Sequence, residues 1–307
     1  MSKDQTLDAS HIHHNWDNSR EPALVIASGD IIHLQLPITG DGQVNESSTI
    51  EDVQWDFDTI YNLAGPIFVD GAQPGDTLEV EIIELHPGAW GWTTMIPELG
   101  LLPDDFPEPY LKIFDLRDRN KATVSPGVEV PLAPFLGTMG VHTDEPGQFS
   151  PFPPHKGGGN IDNRHLIVGS TLWLPIWCDG ALFSCGDAHA AQGDGEVCVS
   201  AIECAMTATL RLTCTNRHSP TPAFATPRSV FDPGPYYGTM GIDPELMQGA
   251  RKAVRSMIDW LAEQHQLSRQ DAYILCSLAG NLHIHEIVDA GVWNVGMTMP
   301  LSVFEAN

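Results

Sequence analysis

Residues 72–85 read AQPGDTLEVEIIEL, and in them Leu78, Val80 and Ile82 alternate with Thr77, Glu79 and Glu81. A period of two marks a strand with one buried and one wet face. Pro74-Gly75 just ahead suits the two central positions of a type II turn. ALVIASGDIIHLQL (23–36) predicts two strands flanking Ser28-Gly29-Asp30, and HLIVGSTLWLPIW (165–177) predicts a more fully apolar strand. EVCVSAIECAMTATLRLTC (196–214) continues the pattern, with Thr207, Thr209, Arg211 and Thr213 on one side. Between these runs, 86–160 contains GAWGW, LLPDDFPEPY and FSPFPPHKGGGN. That stretch predicts long ordered loops with short strands, and loops of such length usually serve a function.

The period changes in the last third. In 243–265, Leu246, Ala250, Val254, Met257, Ile258 and Leu261 fall on one helical face, with Asp243 as expected N-cap and Pro244 at the first helical position. A second helix is expected over 268–281, opened by Ser268 with Asp271 three residues on, and HIHEIVDAGVWNVGMTMP supplies closing strands. The sum is a mainly β chain with a C-terminal α+β portion. Residues 1–215 form the expected β-rich region carrying the chemistry, and 216–307 the α+β region packed on it.

Composition narrows the function classes. The chain has 307 residues, 42% of them hydrophobic, which suffices for a folded core. Forty acids against fifteen bases give a formal net charge of −25. Such a chain repels phosphate backbones, so neither nucleic acid nor an anionic membrane surface is an expected partner. The polar N-terminus lacks the apolar core of a signal peptide, and no run is long enough to span a bilayer. The six cysteines form no C-x-x-C pair, so reduced, buried thiols and a cytoplasmic location are expected. An exposed strand edge would support self-association, with a dimer favoured.

Two segments concentrate chemistry. FSCGDAHAAQGDGE (183–196) packs Cys185, Asp187, His189, Asp194 and Glu196 among small residues. On an extended backbone the side chains of Asp187 and His189 leave one face, offering an oxygen and a nitrogen ligand to one ion. Zinc accepts that mix, and a catalytic zinc needs three protein ligands plus water. Glu196 or Glu203 then serves as third ligand or as general base. A solvated turn at Gly193-Asp194-Gly195 is the alternative. GGGNIDNRH (157–165) adds Asp162 as a metal ligand and Asn160 as a donor to an oxyanion, or else a glycine-rich turn. The strand that follows should return the chain beside 183–196 and bring the two segments together. Cys185 is a candidate nucleophile or substrate contact, or a buried structural thiol. His11, His13 and His14 read as a flexible, metal-scavenging tail, and His283 and His285 as a satisfied polar strand face. No G-x-S-x-G elbow, Walker A loop or H-E-x-x-H helix occurs.

The block 157–203, GGGNIDNRHLIVGSTLWLPIWCDGALFSCGDAHAAQGDGEVCVSAIE, resembles the acetamidase/formamidase family. Further similarity covers GPIFVDGAQPGDTLEVEI (65–82), the early HHNW and SGD pieces, and GIDPELMQGARKAVRSMIDWL (241–261). The resemblance implies hydrolysis of a short linear amide, of the formamide or acetamide type, to ammonia and a carboxylate. It also implies a jelly-roll-like β-sandwich followed by smaller β and α+β parts, and a divalent metal, zinc first and calcium second. In the combined expectation Asp162, Asp187 and His189 hold the metal and Glu196 or Glu203 moves the proton. Asn160 and backbone N–H groups around Gly157, Gly158 and Gly159 steady the oxyanion, with Gly158, Gly159 and Cys185 against the substrate. Metal-free hydrolysis through Cys185, a lactam substrate, and a non-catalytic metal- or sugar-binding jelly roll are the rivals. The chain departs from the family pattern at GNLHIHE (280–286), where fewer imidazoles are expected, and over 135–156.

Overall fold

The computed structural model describes residues 4–304 apart from 119, 127, 218 and 228–234, with the side chains of 271, 274 and 278 also left aside. It is mainly β, as the alternating patterns require, and a pair of helices follows in the last third. Asp30–Leu36, Glu203–Thr215, Thr77–Met95 and Thr171–Pro175 lie side by side in antiparallel register. Leu63–Asp70, Phe183–His189 and Phe135–Val141 form a second antiparallel group, linked to the first where His189 pairs with Glu203. The two groups bury one shared core, in which Ile32, Val80, Leu172 and Leu210 meet Ile67, Phe183, Leu136 and Met139. Sheet continuity then runs from Thr171–Pro175 through Ala223–Thr226 to Tyr236–Asp243, Trp293–Pro300 and Asn281–Glu286.

Several local expectations are corrected. GAWGW is not loop: it lies in the Thr77–Met95 strand, whose pairing with Glu203–Thr215 shifts register twice and so bends. The strand expected over 196–214 starts only at Glu203, and 165–177 is strand only over Thr171–Pro175. The helix Leu246–His265 begins two residues later than the Asp243 signal placed it, because Asp243 ends a strand. Its carboxylate still accepts the Glu245 N–H at 2.9 Å. The buried stripe of that helix is Gly249, Ala253, Met257, Ile258 and Leu261. Small residues lead it because the helix packs closely on the strand: a Cβ on Gly249 would lie 3.0 Å from the Gly241 carbonyl oxygen and 3.2 Å from Val295, and one on Gly241 would strike the Gly249 carbonyl. The second helix, Arg269–Ala279, is present, and the Asp271 cap lies outside the described residues.

The N-terminal histidines are not a tail. His13 is buried and its Nε2 meets Ser184 Oγ at 2.9 Å, while His14 Nδ1 donates to the Tyr61 carbonyl at 2.7 Å. These contacts fix Tyr61 beside the acidic strand. Among the described residues no helix is long and apolar enough to cross a membrane.

Candidate active site

The fully buried strand Phe135–Val141 is the scaffold of the site. It pairs with Gly158–Asn160 on one edge and with Phe183–His189 on the other. The two chemistry-bearing segments therefore meet across this strand, and not across Thr171–Pro175, which pairs elsewhere. At the meeting point the scaffold residue is Gly137. A Cβ on it would strike Asp162 Oδ1 and lie 2.7 Å from His189 Cε1 and 2.8 Å from Asp187 Oδ2. Only glycine leaves space for three functional groups there.

Asp187 and His189 do leave one face: His189 Nε2 is 3.5 Å from Asp187 Oδ2 and 3.2 Å from Glu203 Oε2. His189 Nδ1 is 3.7 Å from Asp162 Oδ1. Glu196 completes a second triplet with Asp162 and His189, all three buried. Asp162, Asp187 and Glu196 adopt left-handed backbone angles, with φ of 41°, 52° and 46°. Non-glycine residues pay roughly 1–3 kcal/mol for such angles, and they concentrate at functional sites.

Neighbouring side chains set the orientation of each group. Gln192 Nε2 donates to the Asp162 carbonyl at 2.9 Å, so its amide oxygen is the atom facing His189 Nδ1, also at 2.9 Å. Nδ1 must then donate, which leaves the Nε2 lone pair of a neutral ring pointing at Asp187 and Glu203. A lone pair facing two carboxylates is repulsive, so the position requires either a proton or a cation. Burial opposes charging of His189, but Glu203 and Asp187 outweigh it and push its pKa well up. Asp187 also accepts from Thr39 Oγ1 at 2.8 Å. Burial alone would raise its pKa, yet His189 and Thr39 bring it below the ordinary value. Burial raises Glu203, and drives Asp162 and Glu196 well up.

Both oxygens of Asp162 and Glu203 Oε2 are buried without a hydrogen-bond partner. Buried carboxylate oxygens rarely remain so unless they face a cation or carry protons. The donor set of carboxylates and one imidazole is one that a divalent cation accepts. The residues thus fit a metal ion.

Not every expected residue reaches this point. Cys185 lies wholly in the apolar core, where burial pushes its thiol pKa up, away from the reactive thiolate range. Gly158 and Gly159 have positive φ and turn the chain tightly against Met139 and the His155 ring. The N–H groups of Gly157 and Gly158 already donate to His155, so they hold no oxyanion. Asn160 is close to the site, but its Nδ2 donates to Asp289 Oδ2 at 2.5 Å and to Tyr61 Oη at 3.2 Å. It positions those two groups and has no donor to spare.

Asp289 and Tyr61 are the residues that the sequence reading missed. Asp289 is buried, lines the cavity, and has its pKa raised to about 7 by burial. It sits in a D-A-G turn, whose only sequence signal is that of a turn. The Tyr61 hydroxyl accepts from Asn160 and keeps its own proton for a ligand. The cavity bounded by Asp187, His189, Glu196, Glu203, Asp289 and Tyr61 has a volume of about 40 Å³, or about three water-sized spheres at roughly 10–15 Å³ each. Trp92, Phe57, Ile60 and Phe152 wall it with apolar surface.

Comparison with known proteins follows the same line. A family model described as the Acetamidase/Formamidase family matches residues 1–146 and 149–306. An acetamidase from Bacillus halodurans, of known crystal structure, superposes with a TM-score of 0.89 at 30% identity, covering 97% of this chain and 98% of the other. A predicted acetamidase/formamidase from Thermoanaerobacter tengcongensis gives 0.90 at 26% identity, covering 99% and 98%. The acetamidase of Mycolicibacterium smegmatis is 26% identical over 60% of this chain and 61% of its own, so the match spans about three-fifths of that curated relative.

Proposed function

Because the chain belongs to the acetamidase/formamidase family, we propose that it hydrolyses a short linear amide to ammonia and a carboxylate, with a divalent metal at the buried cluster. The observation that carries this reading is that Asp187, His189, Glu196 and Glu203 line one small cavity, and that His189 is shared between two buried ligand triplets, one with Asp187 and Glu203 and one with Asp162 and Glu196. Asp187, His189 and Glu203 are the holding groups, and a divalent ion such as zinc is one that this mix of carboxylates and one imidazole accepts. When bound, such an ion supplies Lewis acidity and lets its water ionise near neutral pH.

The protein's own groups divide the remaining work. Glu203 is anchored through Oε1 by the Ala201 N–H at 3.0 Å, which keeps Oε2 on His189 and out of proton traffic. Glu196 lines the cavity with a raised pKa, so it is the group that takes a proton from water and returns it to the departing nitrogen. An amide nitrogen must be protonated before it leaves, and a desolvated carboxyl whose pKa burial has raised holds more readily the proton that this step delivers. Tyr61 donates its hydroxyl proton to the carbonyl oxygen as charge develops there. Asp289, held by Asn160, sits beside this exchange as a second proton store. The apolar wall excludes water from the reacting carbonyl and strengthens these interactions.

The cavity volume supports formamide and acetamide, with three and four heavy atoms. An amide panel read by ammonia release tests the proposal. Turnover of formamide and acetamide, falling steeply at butyramide and absent for dipeptides, is the expected result. A protein that binds metal yet releases ammonia from no short amide would be the non-catalytic binding fold instead.

A further inference from the structure

A second cluster of ligating groups lies outside the cavity just described. Asp194 sits two residues before Glu196, and three imidazoles converge on it. His283 Nδ1 is 3.4 Å from Asp194 Oδ2, and His165 Nε2 and His285 Nδ1 are each 3.9 Å from Asp194 Oδ1. The ring centroids of His165 lie 5.2 Å from those of His283 and 5.6 Å from those of His285. Three segments distant in sequence supply these groups: the turn after Gly158–Asn160, the loop after Phe183–His189, and the Asn281–Glu286 strand. The loop is fixed to that strand, since the Gly195 N–H donates to the His285 carbonyl at 3.0 Å.

Ring orientations point inward. His283 Nε2 meets Thr298 Oγ1 at 3.1 Å, and the same hydroxyl reaches the Asn281 carbonyl at 3.5 Å. With the hydroxyl proton so directed, Nε2 donates and the Nδ1 lone pair faces Asp194. His285 is completely buried, and neither of its ring nitrogens has a hydrogen-bond partner. Its seat exists only because residue 296 is glycine, whose Cβ would occupy the ring's place. A buried imidazole with two idle nitrogens, one of them facing a carboxylate, is a group built for a ligand. Arg164 adds positive charge nearby, and Asp194 supplies the compensating negative charge.

We propose that His165, Asp194 and His283, with His285 as the fourth donor, form a second divalent-metal site of zinc type. Three imidazoles and one carboxylate make the nitrogen–oxygen set that tetrahedral zinc takes. The ligand atoms of His165, Asp194 and His283 lie within 4.8 Å of one another, and a bound ion at roughly 2.0–2.2 Å from each donor draws them closer by small side-chain rotations. The ion pins the loop bearing Glu196 against the strand that leads to Asp289, and so braces two walls of the neighbouring cavity. It does not depend on the amide-hydrolysis reading.

The test separates the two sites. His189→Gln disables the buried cluster, so metal held by that variant reports on the outer site. Metal-stripped wild type, His189→Gln, His283→Gln and Asp194→Asn proteins are titrated with Co²⁺ and then Zn²⁺. The His189→Gln protein should take up one equivalent of Co²⁺, with visible absorption typical of low-symmetry coordination that Zn²⁺ bleaches. His283→Gln and Asp194→Asn should each bind one equivalent fewer than wild type. Equal stoichiometry in these variants and wild type overturns the assignment. Should either variant fail to fold, zinc-edge X-ray absorption of the His189→Gln protein decides: scattering from two or more imidazoles supports the site, and no bound zinc refutes it. Loss of ammonia release in His189→Gln with this equivalent retained leaves the second site standing whatever becomes of the first.

Discussion

At the scale of single residues the site is organised by which atoms are already committed. Asn160 has the right chemistry for an oxyanion donor, but Asp289 and Tyr61 use its protons. Glu203 faces His189 with one oxygen and is tied by Ala201 through the other. In the proposed mechanism Glu196 is the carboxyl that moves protons, so Glu196→Gln should lower kcat by roughly 10²–10⁴-fold, the usual range for a general acid–base. KM for formamide should change little, and steady-state ammonia release measures both. Gly137→Ala places a methyl group among Asp162, Asp187 and His189. Metal stoichiometry and turnover should fall together in that variant while circular dichroism stays native-like. Cys185→Ala, by contrast, removes a sulfur from the apolar core. It should keep full activity per folded molecule and lose about 1–3 kcal/mol of stability in a urea titration, as a small truncation in a packed core does.

Much of this residue-level picture was legible. The D-x-H spacing of Asp187 and His189, the acid at 162 and the pair Glu196 and Glu203 all arrive at one place. What spacing could not show is commitment. Nothing in GGGN says that Asn160 spends its donors on a turn residue 129 positions away. Asp289 and Tyr61 lie far from the acidic block in sequence, and Asp289 sits in a turn that reads as nothing more. Cys185 shares its short segment with two site residues and yet faces the core. The left-handed backbone at Asp187 breaks the simple parity by which 185, 187 and 189 would share a face.

At the scale of elements, alternation located the strands that are half wet and blurred those that are wholly buried. Thr77–Met95 was visible in its first third, where Glu79 and Glu81 mark the wet side, and its GAWGW end was hidden by glycine and bends. Phe135–Val141 has no polar face at all, so no period announces the strand on which the site is hung. The histidines packed around the N-terminal piece carry a prediction of their own. Burial lowers the pKa of His13 to about 3 and those of His142 and His155 to about 4. A histidine free in the unfolded chain titrates near 6.5. Each depressed group contributes stability that is whole above about pH 6.5 and is lost as pH falls toward its folded value, because the unfolded chain then binds more protons. By pH 5 the loss should reach about 1–2 kcal/mol per histidine. Urea midpoints between pH 7 and 5 would show it, and His142→Gln should flatten the curve; a pH-independent midpoint would refute the linkage.

At the scale of the whole molecule, the mainly β pattern set the fold class, and the fold agrees with solved acetamidase structures along nearly its full length. The sheet is continuous from the strands that carry Asp187 and His189 to the Trp293–Pro300 strand, past which the Asp289 turn reaches back to the cavity. The C-terminal portion is therefore part of the site's wall, a role that no local pattern in 281–300 discloses. In the proposed mechanism a cation at the Asp187–His189–Glu203 group is the condition for function at this scale. The most direct test measures ammonia release from formamide by one preparation, first stripped of metal to below detection and then restored with Zn²⁺. Turnover should vanish on stripping and return in proportion to zinc bound at the Asp187–His189 cluster. Undiminished turnover by the fully stripped protein would contradict the account.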